Sequence, residues 1–361
     1  MTKRKNCFVK VLCYMLAILI VLNSSTAASL AASSTDSSSE QTDWFDTSAF
    51  YCLRAGELDM EKDYYVSQAF SILRETDGDD TMCFVFCDEK CVGEFWVNED
   101  MQSCTFFQSR CEDMTNILEN NIHIALVSPD KDHIYVIQPD TNNAICIYGI
   151  CEEKELLSVS TDQFMELSLR SLTTPDDYDK SGNRSAVDES CYLNIPIYGN
   201  ALSPDTGEGL CWIASALSIV DYKNGATGYN TLSFYNYLKS LYNPYTHGYP
   251  CGTETWITRA FTHLYYTLTD YGASGLTFNT VKNLIDNDIP IFTGMHNANG
   301  TQGHAIVLCG YSMFSDSGLT YHYTYRIWDT NYYPGFAIVS ASETGTNFTY
   351  SSYTQWTSHY Y

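Results

Sequence analysis

Three side chains stand out as able to do chemistry together. Cys211 sits in Gly209-Leu210-Cys211-Trp212-Ile213-Ala214-Ser215, directly after a loop (203–209) carrying Pro204, Gly207 and Gly209. The residues after it have the spacing of a helix, with Ile213, Ala216, Leu217 and Val220 forming an apolar face. A thiol at a helix start lies at the positive end of the helix dipole, which favours its charged, nucleophilic form. The same position also suits a buried structural cysteine or half of a disulfide. His304 follows Gly303 and opens the apolar run Ala305-Ile306-Val307-Leu308-Cys309-Gly310-Tyr311, which places an imidazole at a strand rim with space beside it. Taken alone it reads more readily as a capping or surface histidine; His296 is its nearest rival but falls in the expected loop Asn297-Ala298-Asn299-Gly300. Asp329 ends the run Arg326-Ile327-Trp328 and precedes Thr330-Asn331. A carboxylate there can hold the second nitrogen of an imidazole and fix its tautomer, or simply close a strand.

The elements that must position these groups are read from periodicity and turn residues. After residue 191 the pattern predicts helices over 212–222, 231–241, 254–264 and 280–285, then strands over 289–293, 304–310, 321–328 and 336–340. Helices followed by strands argue an α+β fold. Between 43 and 172 the spacing predicts a helix over 64–73 and a short one closing at Ile117. Strands are expected over 83–87, 91–97, 122–127, 133–137 and 144–148, the first two joined by Asp88-Glu89-Lys90.

The order of Cys at a helix start, His on a later strand and Asp on the next is that of papain-like cysteine peptidases. Leu210-Cys211-Trp212-Ile213-Ala214-Ser215 with Ser218-Ile219-Val220-Asp221-Tyr222, the run 281–291, Gly303 to Tyr311 and Ile327-Trp328-Asp329 resemble that family over about 192–340, its bacteriocin-processing-peptidase-like branch above all. The resemblance implies a papain-like catalytic domain in which Cys211 is the nucleophile, His304 the general base and Asp329 its orienter. It implies a polypeptide substrate and no cofactor. One position departs from the family pattern. Where the family places a Gln about six residues before the Cys, as a donor to the oxyanion, this chain has Asp205, an ineffective donor when ionised. Asn200 is the expected substitute, beside the backbone N–H of Cys211. Rival readings on the same scaffold are a cell-wall peptide amidase or transamidase, and a secreted binding protein with an inactive site. No Gly-x-Ser-x-Gly, His-Glu-x-x-His, Walker or dinucleotide motif occurs.

Outside these residues the chain divides by composition. Lys3, Arg4, Lys5 and Lys10 precede an apolar run to Leu22 and then small residues, the order of a secretory signal over 1–31, too short for a membrane span. A polar segment over 32–42 reads as a disordered tether. Residues 43–172 read as a small α+β pro-domain and 173–190 as an exposed linker. Residues 191–361 read as the peptidase domain, so the expected product is a secreted precursor without a stable membrane anchor. The position of 43–172 ahead of a peptidase suggests an inhibitor of it, or else a separate binding module. Thirty-three of the 43 acidic residues fall in 34–190, and the net charge of −24 argues against nucleic acid as a partner, because phosphate binding needs clustered Lys and Arg. Eight of the 14 cysteines lie in 34–190 and read as disulfides or reduced thiols; Cys83, Cys87 and Cys91 lack the spacing of common zinc sites.

Overall fold

Short runs of aromatic and β-branched residues separated by polar turns favour strands over helices in the first half of the chain, and this is what forms. A computed structural model describes residues 37–74, 81–97, 104–108, 112–120, 122–130, 133–139, 144–148, 159–174, 189–269, 271–272, 275–297, 300, 303–315, 320–331, 336–343, 350 and 353–361. The chain divides into two compact units, Met1–Phe45 and Asp46–Tyr361. Helix α1 (Ser37–Ala55) begins in the first and runs on into the second. Residues 37–42, read from composition as part of a disordered tether, are helical. The expected signal segment, 1–31, lies outside the described residues.

In the second unit α1 is followed by β1 (Tyr64–Ser67), β2 (Phe70–Arg74), β3 (Thr81–Cys87), β4 (Lys90–Val97) and β5 (Cys104–Gln108). Then come α2 (Glu112–Glu119), β6 (His123–Asp130), β7 (His133–Ile137), β8 (Ala144–Tyr148), β9 (Met165–Glu166) and β10 (Leu169–Ser171). The helix expected over 64–73 is therefore two strands. Tyr64, Val66, Phe70 and Ile72 are buried while Tyr65 and Ser71 are exposed, and this period of two prevails over the helical spacing. The β3–β4 hairpin turns at Asp88 and Glu89, both with positive φ (51° and 64°), the backbone that a two-residue hairpin loop requires.

The remaining elements are β11 (Glu189–Tyr192), α3 (Cys211–Asn224), α4 (Thr231–Leu241), α5 (Pro244–His247), α6 (Glu254–His263), β12 (Tyr271–Gly272) and α7 (Phe278–Asp286). The chain ends with β13 (Ile291–Asn297), β14 (Gly303–Ser315), β15 (Tyr321–Asp329), β16 (Phe336–Ala341) and β17 (Tyr353–Tyr360). The fold is α+β, with seven helices among the described residues and sheets that are mostly antiparallel. One antiparallel sheet runs β12-β17-β13-β14-β15-β16-β5-β4-β3-β1-β10. A second joins β2, β6, β7 and β8, with β2 parallel to β6. The pairing of β16 with β5, Ala337 opposite Phe107 and Ile338 opposite Phe106, makes the first sheet continuous across the two halves that composition separates. Most of the linker expected between them, 175–188, lies outside the described residues.

On β3, Cys83 and Cys87 are four residues apart on one face, which separates them by about 13 Å along the strand and keeps them from sharing an ion with Cys91. Burial pushes the Cys83 thiol up to about 12. Among the described residues, no group of three or more His, Cys, Asp or Glu could hold a metal. No helix among them is long and apolar enough to cross a membrane.

Strand β14 carries His304, and Gly310 sets its shape. Before it, β14 pairs with β13 (Gly303 to Leu308); from Gly310 onward it pairs with β11 on the same side. A side chain at Gly310 would put its Cβ 2.5 Å from the Tyr192 ring and 2.9 Å from the Cys191 carbonyl. Only glycine lets β11 approach there, and the register shift against β15 falls between Leu308 and Gly310.

Candidate active site

Cys211 is placed by a folded loop and a buried helix. Leu202 bridges Gly209, the Ser203 N–H donates to the Glu208 carbonyl (2.8 Å) and the Leu210 N–H to the Ala201 carbonyl (2.8 Å). This narrow loop delivers the chain to α3, whose first residue is Cys211, so the thiol sits where backbone N–H groups lack helical partners. Every residue from Trp212 to Asp221 is buried. Small residues let the helix press on the sheet, and the Ser215 hydroxyl donates to the Ala305 carbonyl at 3.2 Å, tying α3 to β14 one residue from His304. Asp221 fixes the far end. It accepts from the Thr227 N–H at 2.9 Å and from the Tyr198 hydroxyl.

His304 and Asp329 come from adjacent strands and meet in the interior. The His304 Nε2 lies 2.7 Å from Asp329 Oδ1, with both side chains almost wholly buried. That leaves Nδ1 for Cys211. Burial alone would push the imidazole down, but the Asp329 carboxylate and the Cys211 thiol outweigh it and hold His304 well above its ordinary 6.5. Burial likewise opposes ionisation of Asp329. The His304 charge and hydrogen bond, the Tyr350 hydroxyl and the Asn331 N–H overcome that and keep its carboxyl below the ordinary 3.8. The carboxylate is saturated with donors. Oδ1 accepts from His304 and from the Asn331 N–H (2.8 Å); Oδ2 accepts from the hydroxyls of Tyr148 (2.8 Å) and Tyr350.

The structure thus brings Cys211, His304 and Asp329 together. His296 lies on β13, not in the loop expected for it, and a Cβ on Gly303 would come within 2.8 Å of its ring. Asp205 stands apart. Its carboxylate is paired with Lys239 at 2.6 Å and accepts from the Tyr235 hydroxyl at 2.9 Å, and Lys239 holds it below its ordinary range. Asn200 is close by. A Cβ on Gly209, two residues before the thiol, would be 3.1 Å from Asn200 Nδ2. The Asn200 amide donates to Asn331 Oδ1 at 2.6 Å, which uses one of its two N–H bonds. Tyr148 and Tyr350 were not anticipated. The chain holds 29 tyrosines, and nothing in the spacing of these two marks them.

A thiol opening α3, an imidazole on β14 and a carboxylate on β15 beside it are arranged as the resemblance to papain-like cysteine peptidases implies. Residues 192–355 match the family model described as Peptidase_C39 like family, and that span contains all three side chains. No curated protein matches the chain.

Proposed function

We propose that this protein is a secreted cysteine endopeptidase in which Cys211, His304 and Asp329 act as a triad. The observation that carries the reading is the buried His304, bridging Asp329 through Nε2 and the Cys211 thiol on its other side. In the first step the Cys211 sulfur attacks the scissile carbonyl and His304 passes the proton to the leaving amine. Water then attacks the thioester, His304 takes its proton, and the acid product leaves with the thiol restored. Asp329 stabilises the imidazolium and fixes its tautomer throughout. The match to the Peptidase_C39 like family supports this chemistry, and the bacteriocin-processing branch is compatible with it. Purified protein should cleave a mixed peptide library, and pretreatment with a thiol-directed electrophile should stop it. A library left intact by a protein whose Cys211 alkylates readily would favour an amidase or transamidase substrate instead.

Two donors serve the oxyanion in this reading, the Cys211 backbone N–H and the free N–H of Asn200 Nδ2. Asn200→Ala should lower kcat/KM about 100-fold, while the rate of Cys211 alkylation by iodoacetamide, which forms no oxyanion, stays unchanged. Equal losses in both would mean that Asn200 only supports the loop.

Export follows from the basic, apolar and small-residue order of 1–31. N-terminal sequencing of protein recovered from the medium tests it, and a chain beginning at Met1 would sink it. In this reading residues 43–172 remain with the peptidase. Their departure would strip β5 from β16 and uncover buried Ala337, Ile338 and Val339.

A further inference from the structure

Nothing in the family match, which begins at residue 192, accounts for the chain before it. Yet one side chain of that region reaches the centre of the site. Tyr148 ends β8, is buried, and donates its hydroxyl to Asp329 Oδ2 at 2.8 Å across 181 residues of sequence. Its ring is held by aromatic neighbours, Trp96 at 4.7 Å and Phe107 at 6.3 Å between centroids. Phe107 in turn lies on β5, opposite Ala337 of β16, and 5.8 Å from the Tyr350 ring. The phenol is therefore braced by the same strands that join the halves.

We propose that Tyr148 is a positioning residue of the active site, fixing Asp329 Oδ2 so that Oδ1 faces His304, and that the first half of the chain is thereby a permanent part of the peptidase. This rests on the triad reading above. A carboxylate in a dry interior can rotate or take up a proton unless both oxygens are engaged, and each donor to the ionised form makes protonation harder. Oδ1 has His304 and a backbone N–H. Oδ2 has two phenols, one supplied by each half. The titratable groups facing Asp329 are His304 from β14, Tyr148 from β8 and Tyr350 ahead of β17, with Cys211 lying beyond His304. Tyr148→Phe removes one of the two Oδ2 donors and keeps the ring packing.

The test is the pH dependence of Cys211 alkylation in the full chain, read by iodoacetamide labelling and peptide mass spectrometry, beside peptide hydrolysis. Tyr148→Phe should move the acid limb of labelling upward by about one pH unit. It should also lower kcat about tenfold at pH 6 with KM little changed. In an Asp329→Asn background the same substitution should move nothing further, because no carboxylate remains to be held. A shift that persists there, or an unmoved limb in the single variant, overturns the proposal. If Tyr148→Phe fails to fold, 3-fluorotyrosine at 148, a stronger donor of nearly equal size, should move the limb downward, and no movement overturns it. Failure of the triad reading itself looks different. In that case wild-type Cys211 labels slowly and His304→Ala leaves its rate unchanged.

Discussion

Cys211→Ala should reduce peptide hydrolysis by a factor on the order of 10⁴ or more, with no loss of folded protein. The size follows from the division of labour. In the proposed triad His304 and Asp329 only move and stabilise a proton, whereas the sulfur forms the covalent bond, and no neighbouring group can take its place. Cys309, the nearest thiol in sequence to His304, is buried on β14, and burial pushes it up to about 12, which removes it as a nucleophile. Folding is spared because Cys211 is half-buried at the first position of α3, while the Ser215 bond and the buried run from Trp212 to Asp221 hold the helix without it. Hydrolysis at pH 6–8 and thermal melting of both proteins measure the two halves of the claim. A folded variant that keeps even a tenth of the wild-type rate removes Cys211 from the chemistry.

The second half of the chain was largely legible because its elements obey simple rules. Asn230 caps α4 through its side chain, accepting from the Ser233 N–H, and the helix runs over the residues its pattern predicts. The strands that carry His304 and Asp329 announce themselves as apolar runs that start or stop at polar residues. The positions of the three candidate residues were legible for the same reason. Cys211 starts a helix, His304 lies near the start of its strand and Asp329 ends its own, where the local pattern of the sequence put them.

What stayed hidden depends on contacts between distant segments. Strand β17 was not predicted; it pairs with β13 through two register shifts, and no regular alternation marks it in sequence. The joining of β5 to β16 links residues more than 200 positions apart, and composition argued for separation because acidic residues concentrate before 190. Charge is a property of surfaces, and β5 meets β16 through buried Thr105, Phe106 and Phe107. Tyr148 is hidden for a further reason. Its role is defined by Asp329, and only the fold shows that the carboxylate has a second oxygen to satisfy.

Asp329→Ala should destabilise the fold by roughly 3–5 kcal/mol and cut kcat/KM by about 10²-fold or more, with the stability loss depending on pH in a defined sense. The carboxylate is fully buried, and its removal strands His304 and two phenol donors in the interior. In the wild type the folded Asp329 sits below its ordinary 3.8, so its contribution is complete above that pH and fades as the pH falls further. The folded His304 sits well above 6.5, so its contribution is complete below 6.5 and fades as the pH rises through the folded value. Both act together between about pH 4 and 6.5. In the variant the imidazole keeps its burial and loses its counter-charge, so it resists protonation and the fold weakens as the pH drops below 6.5. The two trends have opposite slopes, and the gap between wild type and variant should be widest near pH 5 and narrower at pH 9. Asn331→Ala should cost much less, because its bond to Asp329 comes from a backbone N–H that alanine retains. Urea unfolding of the three proteins from pH 4.5 to 9 measures the stabilities, and peptide hydrolysis measures the rates. A gap that is flat across that range would mean that His304 is not charged beside Asp329, and an Asn331→Ala loss of rate far exceeding that of Asp329→Ala would transfer the orienting role to Asn331.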